Sequence, residues 1–229
     1  SIDVGAGAFT DAAGNGNTAA SQFNWTFDNS SAELSNVSIS SNNATSTLAK
    51  ASDVITLVFS ANETINTPTV TFASGGSTIA SGRVSVSNTS GNNWSASYTT
   101  GASDSDGAVT YSIAFSDTGG NAGVPVTSGS GSVTFDNTRP VSSISSAQVG
   151  NGGATNASSI SVAFGLSDST TEFNMADVSV SGGSLSDFSG SGTSYSATFT
   201  PDGDGTKTIQ IVRAAYTDAA GNVSWATGQ

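Results

Sequence analysis

One short block recurs three times, and its spacing constrains the fold more than any other feature. It reads Phe9-Thr10-Asp11-Ala12-Ala13-Gly14-Asn15, then Phe115-Ser116-Asp117-Thr118-Gly119-Gly120-Asn121, then Tyr216-Thr217-Asp218-Ala219-Ala220-Gly221-Asn222. The aspartates stand 106 and then 101 residues apart. A block returning at that interval means an array of domains of about 100 residues each. In each copy an aromatic ends a run of alternating apolar residues, and Asp-x-x-Gly-Asn then turns the chain. Gly permits positive φ, while Asn tolerates it and can bond its own backbone. The block therefore reads as a strand followed by a tight loop.

Alternation elsewhere has the period of strands, with no helical periodicity. Residues 1–28 read as a closing β-hairpin of a preceding or partner domain: Phe9 ends one arm, and Phe23, Trp25 and Phe27 alternate along the other. Residues 29–137 hold about seven short strands between Gly/Ser/Asn turns, the signature of a Greek-key sandwich. Ile55, Leu57 and Phe59 interleave with Val54 and Val58, which predicts a central strand apolar on both faces. Val133-Thr134-Phe135-Asp136 closes this domain and repeats Trp25-Thr26-Phe27-Asp28. Arg139-Pro140 forms the linker, since proline cannot continue a ladder. Residues 138–229 repeat the pattern around Ile160, Val162, Phe164 and Leu166. The first repeat takes 13 residues from Asn15 to its closing Asp28, but only 7 follow Asn222, so the last strand is expected to be missing or cut short. Extra closing strands at one end and a shortfall at the other fit a window that ignores domain borders, and they also allow a filament in which residues 1–28 complete a second copy.

Composition narrows the function. Charged residues make up 10% of the chain, hydrophobic residues 35%, and the formal net charge is −12. Strands rich in Phe, Tyr, Trp, Val and Ile argue for folded β rather than disorder. The acidic excess excludes a nucleic-acid partner, which needs a basic stripe, and docking to anionic membrane. With no Cys and no His, thiolate or imidazole metal sites and His-dependent triads are excluded. The expected class is a non-enzyme.

The remaining chemistry is that of hard oxygens. Calcium takes six to eight oxygen ligands from carboxylates and carbonyls. Candidate ligands are Asp11 with Asn15, Asp117 with Asn121, and Asp218 with Asn222. The pairs Asp104/Asp106 and Asp202/Asp204 lie in Gly-containing turns, and Asp28 and Asp136 end strands at domain borders. Each of these also fits a plain turn, in which Asp or Asn accepts backbone N–H groups without metal. Trp25 and Trp94 are expected in cores, because they alternate along strands; Trp225 lies in the tail. An exposed flat tryptophan would instead suit a glycan, making the chain a carbohydrate- or surface-binding module.

The chain resembles bacterial immunoglobulin-like repeats of large secreted adhesins and biofilm-associated surface proteins. The matching residues are the turns at Asp11 and Asp218, and Asp53-Val54-Ile55-Thr56-Leu57-Val58-Phe59 followed by Glu63. The border Phe135-Asp136-Asn137-Thr138-Arg139-Pro140 and the stretch Ala176-Asp177-Val178-Ser179-Val180 match as well. The resemblance implies an all-β chain of tandem immunoglobulin-like Greek-key β-sandwiches, secreted or held on a bacterial surface. It implies a stalk whose partners are adjacent repeats or identical subunits, with a glycan or surface contacted through other domains. It also implies calcium at or near the domain junctions.

Overall fold

The computed structural model describes residues 3–228. Its first sandwich starts with β1 (Leu34–Ser41), β2 (Leu48–Ala49), β3 (Val54–Ala61), β4 (Thr69–Ser74) and β5 (Ser77–Thr78). It continues with β6 (Ser85–Ser90), β7 (Asn93–Thr99), β8 (Gly107–Ala114) and β9 (Val133–Phe135). One sheet has the order β1-β3-β7-β6 and the other β2-β9-β8-β4-β5. That is the immunoglobulin arrangement: the first, second, fifth and fourth long strands form one layer, and the third, sixth and seventh form the other. All pairs are antiparallel except β2 with β9, which run parallel with Ala49 opposite Phe135.

Period-two alternation builds the core between these layers. Ile55, Leu57, Phe59, Trp94 and Tyr98 face Phe72, Ile113, Val133 and Phe135, all buried. β3 is central, between β1 and β7. Its outer face is not covered, however: Val58 is 44% exposed. The apolar run suggested two buried faces, but only one layer packs on this sheet. Open outer faces also explain how so polar a chain folds, because Ser and Thr can occupy every second position.

The second sandwich holds β10 (Ser142–Ser145), β11 (Ile160–Thr170), β12 (Val178–Ser181), β13 (Gly183–Pro201), β14 (Thr208–Ile211) and β15 (Thr227–Gly228). Its sheets are β10-β11-β13 and β12-β14-β15. The closing strand β15 is thus present but spans two residues, pairing Thr227 with Ile211 and Gly228 with Gln210. The core gathers Ile144, Val162, Phe164, Phe173, Phe199 and Ile211.

Residues 4–27 form a loosely bonded hairpin with its outgoing arm. Gly7 N–H donates to Asn17 O, Asn17 N–H to Phe9 O and Ala20 N–H to Val4 O. It packs on neither sandwich: Phe9, Phe23, Trp25 and Phe27 are 63–75% exposed. The expected core position of Trp25 is therefore not found, because the hairpin has no opposing sheet among the described residues. Trp94 is buried in the first core.

Candidate cation site at the domain poles

All three repeated blocks fold into the same loop. In each, the Asp backbone N–H donates to the Asn carbonyl, and the Gly N–H donates back to the Asp carbonyl. The glycines Gly14, Gly120 and Gly221 sit at φ 86°, 93° and 85°, a conformation that disfavours any residue with a Cβ. Asn121 donates its backbone N–H to Asp117 Oδ1 (2.8 Å) and its side-chain Nδ2 to Oδ2 (2.9 Å). Asn222 does the same to Asp218, both at 2.9 Å, and Asn15 to Asp11 at 2.9 and 2.8 Å. The side-chain amides of Asn121 and Asn15 are the main cause holding the Asp117 and Asp11 carboxyls below the usual carboxylate range.

In the two packed copies the Asn amide also reaches the incoming chain. Asn121 Nδ2 approaches the carbonyls of Asp28 (3.3 Å) and Ser30 (3.2 Å). Asn222 Nδ2 donates to the carbonyl of Asp136 at 2.8 Å. The loop between the sixth and seventh strands thus fastens each domain to the border aspartate that precedes it, Asp28 or Asp136.

At the first pole a third carboxylate joins. Asp28, Glu63 and Asp117 bring carboxylate oxygens within 4.8 Å of one another. Glu63 follows β3 and was noted in the sequence only as part of a family resemblance; its place after a central strand, like that of Glu172 after β11, was the available signal. Neither salt bridge among the described residues involves this trio. At the second pole Glu172 instead accepts from Thr217 N–H (2.9 Å) and Thr217 Oγ1 (3.2 Å). Burial raises the Asp136 carboxyl above the usual range there, and the charges of Asp218, Asp106 and Asp168 raise it further. Convergent carboxylates with nearby carbonyls are the kind of donor set a hard dication takes, and among the described residues Asp28, Glu63 and Asp117 at the first pole are the one such group.

The other candidates separate. Asp104 is paired with Arg83, whose Nη2 lies 2.7 Å from Oδ2, and this pairing lowers its pKa. Asp202 is paired with Lys207 at 2.7 Å, with the same effect. Asp106 turns away from Asp104 to accept Asn137 N–H (2.7 Å) and Thr138 Oγ1 (2.6 Å) in the linker. Asp204 remains in the exposed turn before β14. Trp225 lies between two guanidinium groups, Arg139 at 4.9 Å and Arg213 at 5.7 Å from its ring centre.

The two sandwiches meet at this second pole. Asn43, after β1, donates to the carbonyl of Ala220 at 3.0 Å and to Asp53 at 2.8 Å. Tyr216 Oη donates to the Val141 carbonyl at 2.7 Å, and Trp225 N–H to the Pro140 carbonyl at 3.2 Å. These bonds hold the linker from both sides.

Residues 136–229 match the family described as Bacterial Ig-like domain. The match starts at the strand-end aspartate that Asn222 holds, so the Ig-like domain includes its linker. Among solved structures, a titin I-band fragment, I67–I69, is similar at 12% identity and a TM-score of 0.37, over 88% of this chain and 65% of that one. The chain therefore spans about two thirds of that fragment. The titin domains z1z2, in complex with telethonin, are similar at 10% identity and a TM-score of 0.32, over 89% and 95% of the two chains. No curated protein matches the chain.

Proposed function

We propose that this chain is a non-catalytic, structural segment of an extracellular bacterial adhesin stalk or matrix fibre, in which calcium at the domain poles stiffens the joints. The supporting observation is the shared pole: an Asp-x-x-Gly-Asn loop bonded to the preceding strand-end aspartate, with further carboxylates beside it. Unit charges of one sign about 4 Å apart repel by ~1 kcal/mol even in water, and by more where water is excluded. A cation would turn that repulsion into attraction and tie three segments together: the linker, the loop holding Glu63 and the loop holding Asp117. The acidic excess suits a secreted or surface-held chain, because like charges keep neighbouring stalks apart in solution.

The test is a pair of thermal melts, with excess calcium and with chelator, for the natural chain and for Glu63→Gln. A ligand bound only to the folded state stabilises by ~2.7 kcal/mol at 100 times its dissociation constant. The natural chain should melt higher in calcium, and Glu63→Gln should lose most of that gain in the first domain. Equal melts with and without calcium would refute the calcium part of the proposal.

A further inference from the structure

Two of the chain's unpaired cations meet on one exposed ring. Of its five lysines and arginines, Arg83 is paired with Asp104 and Lys207 with Asp202. Lys50, Arg139 and Arg213 form no salt bridge among the described residues. The guanidinium carbons of Arg139 and Arg213 lie 4.9 and 5.7 Å from the ring centre of Trp225. A chain with a formal net charge of −12 thus gathers two of three unpaired cations at one point of its surface. Trp225 itself stays 51% exposed.

An insertion builds this cluster. Ile113 pairs with Val126 in the first sandwich and Ile211 with Thr227 in the second, each partner five residues past its loop Asn. From that Ile to the loop Asp the first sandwich takes four residues, 113 to 117, and the second takes seven, 211 to 218. The longer path bulges. Ala214 N–H donates to the Ser224 carbonyl and Ser224 N–H to the Tyr216 carbonyl, which leaves Ala215 over between them. Ala214 takes φ 61°, the left-handed region that an L-residue enters only at a cost. This pairing sets Arg213 across from Trp225. Arg139 arrives through the linker, where Trp225 N–H donates to the Pro140 carbonyl at 3.2 Å and Arg139 Nη1 to the Val223 carbonyl at 3.3 Å. β15 then runs away from this end of the sandwich, with Gly228 opposite Gln210. The first sandwich has no counterpart: its shorter path leads directly into buried Phe115, and Val124 stands where Trp225 does.

A guanidinium that rests on a ring face keeps its in-plane N–H groups free. Arg139 uses one of them on Val223, and Arg213 uses none among the described residues. The indole therefore holds two forks in place while their donor edges stay open, the arrangement that grips a carboxylate in bidentate fashion. The open part of the indole adds a flat apolar surface beside them. A pyranose ring bearing a carboxylate meets both features, with its C–H face on the indole and its carboxylate on a guanidinium. An acidic peptide would use only the charges and would lose more chain freedom on ordering.

We infer that Arg139, Arg213 and Trp225 form a binding site for uronate units of an acidic polysaccharide, placed at the joint between the two sandwiches. The site is separate from the carboxylates of the first pole and needs no metal.

The test is a titration of the natural chain with a 1,4-linked galacturonate trimer, in chelator so that no calcium bridge can form. NMR follows the indole N–H signals of the three tryptophans. The Trp225 signal, assigned by its loss in Trp225→Phe, should move saturably while those of Trp25 and Trp94 stay in place. A neutral galactose trimer should move none of them. Arg213→Gln should weaken binding about tenfold or more and leave the melting midpoint unchanged, because Arg213 is exposed. Arg213→Lys, which keeps the charge and loses the fork, should weaken it as well. Arg139→Gln gives a separate reading from the linker and should act in the same direction. The inference is overturned by a Trp225 signal that does not move at millimolar trimer, by a neutral trimer that moves it equally, or by Arg213→Gln and Arg139→Gln chains that bind as the natural chain does. It is equally overturned by a hexaglutamate peptide that binds as tightly as the trimer, which would make the cluster a site for acidic protein.

Discussion

Replacing Asn222 by alanine isolates the amide that fastens the second sandwich to its linker. The change removes Nδ2 from the Asp136 carbonyl at 2.8 Å and from Asp218 Oδ2 at 2.9 Å. The backbone N–H bond to Asp218 Oδ1 survives, so the loop keeps its turn. A bond to a neutral carbonyl contributes ~0.5–1.5 kcal/mol net, and a bond to a carboxylate ~1.5–3. Asn222 is 8% exposed, so water cannot easily replace either bond. The expected loss is about 2–4 kcal/mol. For a domain of this size each kcal/mol moves the midpoint by ~4–8 °C, so the second transition should fall by about 8–32 °C. Scanning calorimetry resolves the two domains and should leave the first transition in place. Asn15→Ala is the internal control: it removes the same amide-to-carboxylate bond, at 2.8 Å, in an exposed hairpin that packs on neither sandwich. It should change neither transition by more than ~0.5 kcal/mol. If Asn222→Ala costs less than that, the amide is not what holds the joint.

Other substitutions separate the remaining terms. Tyr111→Phe should stabilise the first sandwich by about 1 kcal/mol in a denaturant titration, because its buried hydroxyl meets no hydrogen-bond partner among the described residues. Gly75→Ala should cost more than ~2 kcal/mol by the same titration: the residue sits at φ 52°, and a Cβ would meet the Asp106 carbonyl oxygen at 2.3 Å. The two poles should respond oppositely to pH in chelator. Asp136 has a raised pKa, so its contribution to stability is fullest below the ordinary value of 3.8 and is lost as pH rises through the folded value. Asp136→Asn should therefore melt higher than the natural chain near neutral pH, the gap closing toward pH 4. Asp117 has a lowered pKa, so it contributes above 3.8 and loses that contribution as pH falls through its folded value. A circular-dichroism melt series from pH 3 to 7 on the Asp136→Asn chain reads both effects.

Strand positions and the immunoglobulin arrangement were legible because alternation and turn residues act locally. The repeated Asp-x-x-Gly-Asn block announced three identical loops, and three identical loops are found. What the alternation could not supply was the identity of the covering layer. Val58 and Trp25 are apolar at alternating positions, yet face outward because nothing among the described residues packs on them. The site was half legible. Asp28 and Asp117 stand out by their positions at a border and in a repeat, but Glu63 reaches them only through the fold, 35 residues past the one and 54 before the other. The pairs Asp104/Asp106 and Asp202/Asp204 looked alike in sequence. Arg83 and Lys207, 21 and 5 residues from their partners, decide that one member of each pair is neutralised.

The parallel pairing of β2 with β9 has a mechanical meaning. A pull applied between Leu34 and Asp136 would enter the first sandwich through β1 and leave through β9. It would slide the first crossover past the last strand rather than peel one from the other. Ser130 N–H to Val37 O, Ile39 N–H to Ser130 O, Thr134 N–H to Thr47 O and Asp136 N–H to Ala49 O all lie across that sliding plane. Loaded side by side, these bonds share the force and must fail together, whereas a peeled ladder fails one rung at a time. The second sandwich shows no such clamp among its described residues.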